Sequence, residues 1–381
     1  MAVAERTPVA AGSGAQAQRA VLARLSTLDR FLPLWIGAAM AAGLGLGSLV
    51  PSLNDGLDRL RVGTVSLPIA AGLLLMMYPV LARVRYEDLG RTSRDGVRNG
   101  RFFGASLALS WVAGPALMFG LAWTLLPDQP AYRTGVIVVG LARCIAMVLI
   151  WNDLAGGDRD RAAVLVVFNA LFQIAAYSLL GYFYLTLLPG WLGLDTQGFE
   201  VGIWEVARTV LIFLGIPLAA GYLTRRVALR RRGRPWFEER FVPRVAPITL
   251  YGLLFTIVLL FAIQGDEITT RPLDVARIAL PLLAYFAIMW LAGFAAGKLL
   301  GFPYAQTASL AFTVASNDFE LAIAVSVGVF GATSGQALAG VVGPLIEVPV
   351  LVALVYVALW ARRFFAAETA PPGGVSELLA P

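Results

Sequence analysis

GLARCIAMVLIWNDLAGGD, residues 140–158, is an apolar stretch with a charge inside it. Arg143 stands between Ala142 and Cys144, within a run long enough to cross a bilayer. A charged side chain at bilayer depth costs about 2.5–3.5 kcal/mol on insertion scales, so it is rarely kept without a role. Cys144 is the only cysteine in the chain, and it adds a soft ligand to a set otherwise built from oxygen and nitrogen. A second polar interruption, Ser316-Asn317-Asp318-Phe319-Glu320, sits inside a later apolar run. Interrupted segments in matching positions are the strongest sequence pointer to a transporter site at the membrane midplane.

The rest of the composition agrees with a membrane protein. Of 381 residues, 58% are hydrophobic and 14% are charged, against about 25% charged in an average domain. The apolar residues gather into runs of about 20, enough to cross a ~30 Å hydrocarbon core. One cysteine excludes an internal disulfide and a multi-cysteine metal site. With no histidine, proton chemistry falls to carboxylates. No cofactor is expected. The net charge of +6 reflects topology and does not point to nucleic acid. Residues 1–27 read as a disordered cytoplasmic N-terminus. The apolar run after Arg30 is too long for the core of a signal peptide and reads as the first span.

Ten spans are expected, at 31–51, 62–82, 102–126, 135–155, 162–188, 203–223, 245–264, 275–298, 304–330 and 336–361. The N-terminus, the 83–101, 156–161 and 224–244 connections, Lys298 and Arg362-Arg363 hold 23 of the 30 lysines and arginines. The positive-inside rule therefore places both termini in the cytoplasm, with the 189–202 loop outside. Five spans per half force the halves to insert in opposite senses, as in many secondary transporters. IGAAMAAG (36–43) is similar to LGIPLAAG (214–221). NALFQI (169–174) matches GPLIEV (343–348) at an offset of 174 residues, which puts Arg143-Cys144 on Asn317-Asp318. The expected units are a first repeat at 28–201, an inverted second repeat at 202–363, and a cytoplasmic tail at 364–381.

An isolated intramembrane cysteine is usually a small buried hydrophobe. The adjacent Arg143 changes that reading, because a cation beside a thiol favours the thiolate that ligates. Trivalent arsenic and antimony bind a thiolate by exchanging a hydroxide. A single thiol gives reversible attachment, which suits transport better than sequestration. Glu320 is either a carboxylate paired with Arg143 or a proton carrier and substrate ligand near the midplane. Asp318 either shares the proton role or pairs with Arg143. Asn152 and Asp153 near the end of span four, Ser316, and Glu347 between Pro344 and Pro349 are candidates for gating or for supporting the site. Asp158-Arg159-Asp160-Arg161 reads as a solvated turn, and the arginines of 224–244 as a cytoplasmic loop.

These residues resemble the ten-span arsenite efflux permeases of the bile acid/arsenite/riboflavin transporter superfamily. The similarity is carried by 140–158, by SNDFELAIAV (316–325), by VVGPLIEVPVLVALVYV (341–357) and by LDRFLPLWIGAAMAAGLGLG (28–47). It implies an all-α fold in which discontinuous spans four and nine cross, and a panel of spans one, two, six and seven. It also implies that Cys144 and Glu320 are the essential cysteine and glutamate, with Arg143 and Asn317 beside the substrate. Asp318 departs from the asparagine expected there. The function implied is arsenite export, with antimonite as a second candidate substrate, by proton antiport in the plasma membrane. An enzyme is not expected. The alternatives are a sodium-coupled organic-anion symporter of the same fold, and an intramembrane lipid-modifying enzyme, which would need a second aspartate-rich motif.

Overall fold

The computed structural model describes residues 31–50, 53–62, 65–84, 100–145, 147–194, 202–270 and 272–365. The expected N-terminal segment 1–27, most of 83–101, part of the 189–202 loop and all but the first two residues of the expected 364–381 tail lie outside the described residues.

The described chain is helical apart from one small hairpin. Helix α1 (Leu32–Leu49) precedes a short α2 (Leu53–Arg59). The hairpin follows, with Arg61–Val62 pairing antiparallel to Val65–Ser66. It occupies the expected start of span two, so α3 begins later, at Leu67, and runs to Ala82. The β-branched Val62 and Val65 favour this extended pairing over another helical turn. Helix α4 covers Gly100–Leu125, with a π turn at Leu109–Ala113. Helices α5 (Pro130–Leu141) and α6 (Met147–Leu154) are the two pieces of a broken segment.

The 158–161 stretch is solvated at Arg159 and Asp160, as expected, but it opens a helix and is not a turn. Asp158 caps α7 (Arg159–Trp191), accepting the Arg161 N–H at 3.1 Å. The glycine that ends the preceding segment, Gly156, has a φ of 70°, which favours a residue without a β-carbon.

Helix α8 starts at Ile203–Val210, passes a π turn at Leu211–Gly215 and continues through Ile216–Trp236. The 224–244 stretch is therefore helical where a loop was expected. Arginine is a good helix former, and the one non-helical residue is Gly233 at φ 79°. Helices α9 (Val242–Thr270) and α10 (Pro272–Leu299) follow. A second broken segment, α11 (Tyr304–Ala315) and α12 (Phe319–Phe330), precedes α13 (Gly335–Ala361).

Among the described residues, five helical stretches are long and apolar enough to cross a membrane, and α1, α3 and α12 are shorter apolar helices. Helix α9 packs on α1 and α3, and α8 packs on α3. These are the helices the resemblance assigns to a panel. Their contacts are close because glycines face backbone: a β-carbon at Gly43 would lie 2.6 Å from the Val258 carbonyl oxygen. The broken segments are enclosed by α4, α7, α10 and α13.

Candidate functional site

The two broken segments meet at their breaks. Arg143 and Asn317, 174 residues apart, form an isolated antiparallel bridge. Cys144 N–H donates to Ser316 O at 3.4 Å, and Asp318 N–H donates to Ala142 O at 3.2 Å. A helix broken in an apolar interior frees backbone groups that must find partners. Here the bridge satisfies some, and side chains of the flanking helices satisfy others. Gln173 of α7 accepts the Arg143 N–H through Oε1 at 3.2 Å. Glu347 of α13 accepts the Asn317 N–H through Oε1 at 3.2 Å and the Ser316 hydroxyl at 2.7 Å. Each of these two acceptors lies 30 residues beyond the residue whose N–H it receives.

The C-terminal carbonyls of α5 gain their own donors, which compensates the negative end of that helix. Tyr177 Oη donates to Val138 O and Asn317 Nδ2 to Val139 O, each at 2.7 Å. The Arg143 guanidinium donates to Gly140 O and, at 2.7 Å, to Tyr285 Oη. Arg143 is fully buried and forms no ion pair with Asp318 or Glu320, so neither pairing considered from the sequence is made.

The two breaks also present helix N-termini. Cys144, 3% exposed, accepts the Val148 N–H of α6 at Sγ, at 3.3 Å. At the equivalent place Asp318, 2% exposed, accepts the Leu321 N–H of α12 through Oδ1 at 2.9 Å. Helix N-termini favour negative charge beside them. A thiol and a carboxyl thus occupy matching caps on either side of the bridge. Glu320 is half-buried, and its carboxyl lies within electrostatic reach of both Asp318 and Glu347.

Six of the sequence candidates, Arg143, Cys144, Ser316, Asn317, Asp318 and Glu347, therefore gather at the crossing, with Glu320 beside them. Asn152 and Asp153 do not join them. Asn152 Oδ1 accepts the Ser309 hydroxyl at 2.6 Å, joining the end of α6 to α11. Asp153 points outward, 3.5 Å from Arg159. The sequence reading missed Gln173, Tyr177 and Tyr285. It also missed Asn169, whose Oδ1 accepts Trp111 Nε1–H from the π turn of α4 at 3.3 Å. Among the described residues no group of three or more acidic, cysteine or histidine side chains is arranged to hold a metal ion.

A buried thiol, a buried guanidinium and three carboxyls at the crossing of two broken helices suit a binding site for a small polar solute, and known proteins carry the comparison further. The profile described as the Sodium Bile acid symporter family matches residues 70–271. The Arsenical-resistance protein Acr3 of Corynebacterium glutamicum is 55% identical over 90% of this chain and 91% of its own length. The chain belongs to the arsenite efflux permeases of the bile acid/arsenite/riboflavin transporter superfamily. An uncharacterized transporter of Synechocystis is 34% identical over 89% of the chain and 91% of its own length. The Arsenical-resistance protein Acr3 of Alkaliphilus metalliredigens is 29% identical over 88% of the chain and 94% of its own length. The permease is thus a multi-pass membrane transporter and not an enzyme.

Proposed function

We propose that this permease exports arsenite from the cytoplasm in exchange for protons, with antimonite as a second trivalent substrate. The observation that carries the reading is the single thiol, buried where the two broken helices cross. Arsenous acid attaches there by condensation. The Cys144 S–H and one As–OH are consumed, an S–As bond forms, and water leaves. No oxidation state changes, and hydrolysis reverses the step on the other side of the membrane. One sulfur attaches the metalloid weakly enough to release it.

Glu320 is the proton carrier in this reading, with Asp318 its competitor. An inward-facing site that has released its proton takes up arsenous acid. The outward-facing site must be reprotonated before it returns. Neutral arsenous acid gains nothing from the membrane potential. One entering proton releases about 2.3 kcal/mol per 100 mV and about 1.4 kcal/mol per pH unit. Together these support a gradient of a few hundredfold.

The same proposal includes ten spans in two inverted repeats, 28–201 and 202–363, with both termini in the cytoplasm of a plasma-membrane protein. It is supported by the 174-residue separation of the paired breaks and by the equal lengths of α5 and α11, 12 residues each.

The family description favours one rival, sodium-coupled transport of an organic anion. Arsenite uptake into everted vesicles separates the two. An outward proton gradient set by an acidic lumen should drive uptake without sodium, and Cys144→Ser should abolish it. Uptake that requires sodium and ignores the pH gradient would sink the antiport reading.

A further inference from the structure

Four buried polar atoms at the crossing meet no donor or acceptor, Arg143 Nε, Gln173 Nε2, Asn317 Oδ1 and Asp318 Oδ2, and the second and the last are chemically complementary. Gln173 is fully buried. Its amide has one orientation, because only Oε1 can accept the Arg143 N–H. Nε2 is therefore turned away from that bond, and it meets no acceptor. On the other strand of the bridge, Asp318 Oδ1 is held by the Leu321 N–H, while Oδ2 meets no N–H or hydroxyl donor and the Glu320 carboxyl is its acidic neighbour. Burying an unpaired donor and an unpaired acceptor is costly, and a ligand that bonds to both removes the cost.

Asp318 is tied to the strand that Gln173 holds. Asp318 N–H donates to Ala142 O, the residue before Arg143, whose own N–H holds Gln173. Tyr177, one turn along α7 from Gln173, is within electrostatic reach of both Asp318 and Arg143. Cys144 stands opposite Ser316 in the same bridge, diagonal to Asp318. Diagonal neighbours across an antiparallel pair are about 7–8 Å apart, a gap that a sulfur-bound metalloid carrying a hydroxyl can span.

We propose that Gln173 Nε2 and Asp318 Oδ2 form a hydroxyl-binding half-site. The amide donates to a hydroxyl of the metalloid held by Cys144, and the carboxyl oxygen accepts from it. This rests on the reading of Cys144 as the arsenic ligand and adds Gln173 as a specificity-determining residue. At an offset of 174 residues, Gln173 and Asp318 correspond to Glu347 and Cys144. Arsenous acid keeps two hydroxyls after it condenses with one thiol, and dimethylarsinous acid keeps none. The half-site thus distinguishes the two.

The test is protection of Cys144 from a membrane-permeant maleimide in the full-length protein, with arsenite and dimethylarsinous acid as probes. In Gln173→Glu, which keeps an acceptor for the Arg143 N–H and removes the Nε2 donor, the arsenite concentration for half-protection should rise about fivefold, the loss of one neutral hydrogen bond, and that for dimethylarsinous acid should not move. Asp318→Asn retains an Oδ1 cap for α12 and should raise the arsenite value about tenfold, again sparing the dimethyl compound. Unshifted arsenite protection in both variants overturns the proposal. So does an equal shift for both compounds, which would make Gln173 and Asp318 merely structural. If neither compound protects the unmutated protein, the thiol-ligand reading itself falls, a result distinct from the other two.

Discussion

Replacing Glu347 by leucine should loosen the crossing before it touches any substrate. The carboxyl holds two donors, the Ser316 hydroxyl at 2.7 Å and the Asn317 N–H at 3.2 Å. Ser316 is fully buried and Asn317 is 2% exposed, so water does not replace the lost acceptor. An orphaned buried donor costs about 1–3 kcal/mol, which makes about 2–6 kcal/mol for the pair. Leucine's apolar surface offsets about 1–2 kcal/mol of this, leaving a net loss of about 2.5 kcal/mol at the middle of both ranges. Glu347→Gln keeps Oε1 in place and should cost less than about 1 kcal/mol. Cys144 serves as the reporter, because it is the only thiol and is 3% exposed. A dye that fluoresces on reacting with thiols would follow its exposure as the detergent-solubilised protein is heated. The expected order of melting temperatures is unmutated, then Gln, then Leu. Equal losses in the two variants would show that charge matters more than hydrogen bonding, and no loss in the leucine variant would refute the account of the break.

Other outcomes follow from the same geometry. Cys144→Ser should abolish arsenite resistance while leaving folded protein in the membrane, checked by growth on arsenite and by immunodetection; full resistance would remove the thiol from the mechanism. Glu320→Gln should lose pH-driven vesicle uptake yet keep arsenite protection at Cys144, whereas loss in Asp318→Asn alone would name the other carboxylate as the proton carrier. Gly343→Ala should reduce folded yield in detergent extracts, because its β-carbon would collide with the buried ring of Phe319; a normal yield would contradict the close approach of α13 to the break. At the surface, the Arg277 hydrogen bond holds the Asp128 carboxyl below its usual range. That depressed value stabilises the folded state above about pH 4 and the benefit fades as the pH falls through the folded-state value. Arg277→Gln should therefore remove a small acid-dependent part of the melting curve, an effect absent if the pair does not form in solution.

The helical, membrane-crossing class of the fold was legible because membrane burial writes itself into composition. The breaks at Arg143 and Asn317 were visible as polar residues inside apolar runs, and their pairing followed from one shared offset. The strand pair of 61–62 with 65–66 was hidden, since its few residues merge with the apolar run of α3. The arginines of 224–244 misled because charge signals topology and says nothing against a helix. At the site, side chains that announce themselves by type, such as Cys144 and Glu347, were found. Tyr285 and Tyr177 were not, because a lone tyrosine in an apolar helix carries no sign of which carbonyl or guanidinium its hydroxyl will meet. Gln173 had a signal that went unused: the match of NALFQI to GPLIEV sets it against Glu347. Asp153 was grouped with Asn152 by adjacency, but neighbouring residues on a helix face different ways.

The two acceptors that hold the breaks differ in charge, and so do the residues they hold. Arg143 is received by the neutral Gln173, and Asn317 by the acidic Glu347. Suppose two identical copies of the first segment met as these two halves do. They would bury two guanidiniums in one apolar crossing, and two copies of the second would bury an extra pair of acids. Only unlike partners bring the guanidinium of Arg143 and the carboxyls of the second segment into one crossing. A transporter assembled from free half-length chains would therefore face a sorting problem, with like pairs competing against the productive one. Carrying both segments on a single polypeptide fixes their ratio at one to one and makes the mismatched assembly unreachable within a molecule.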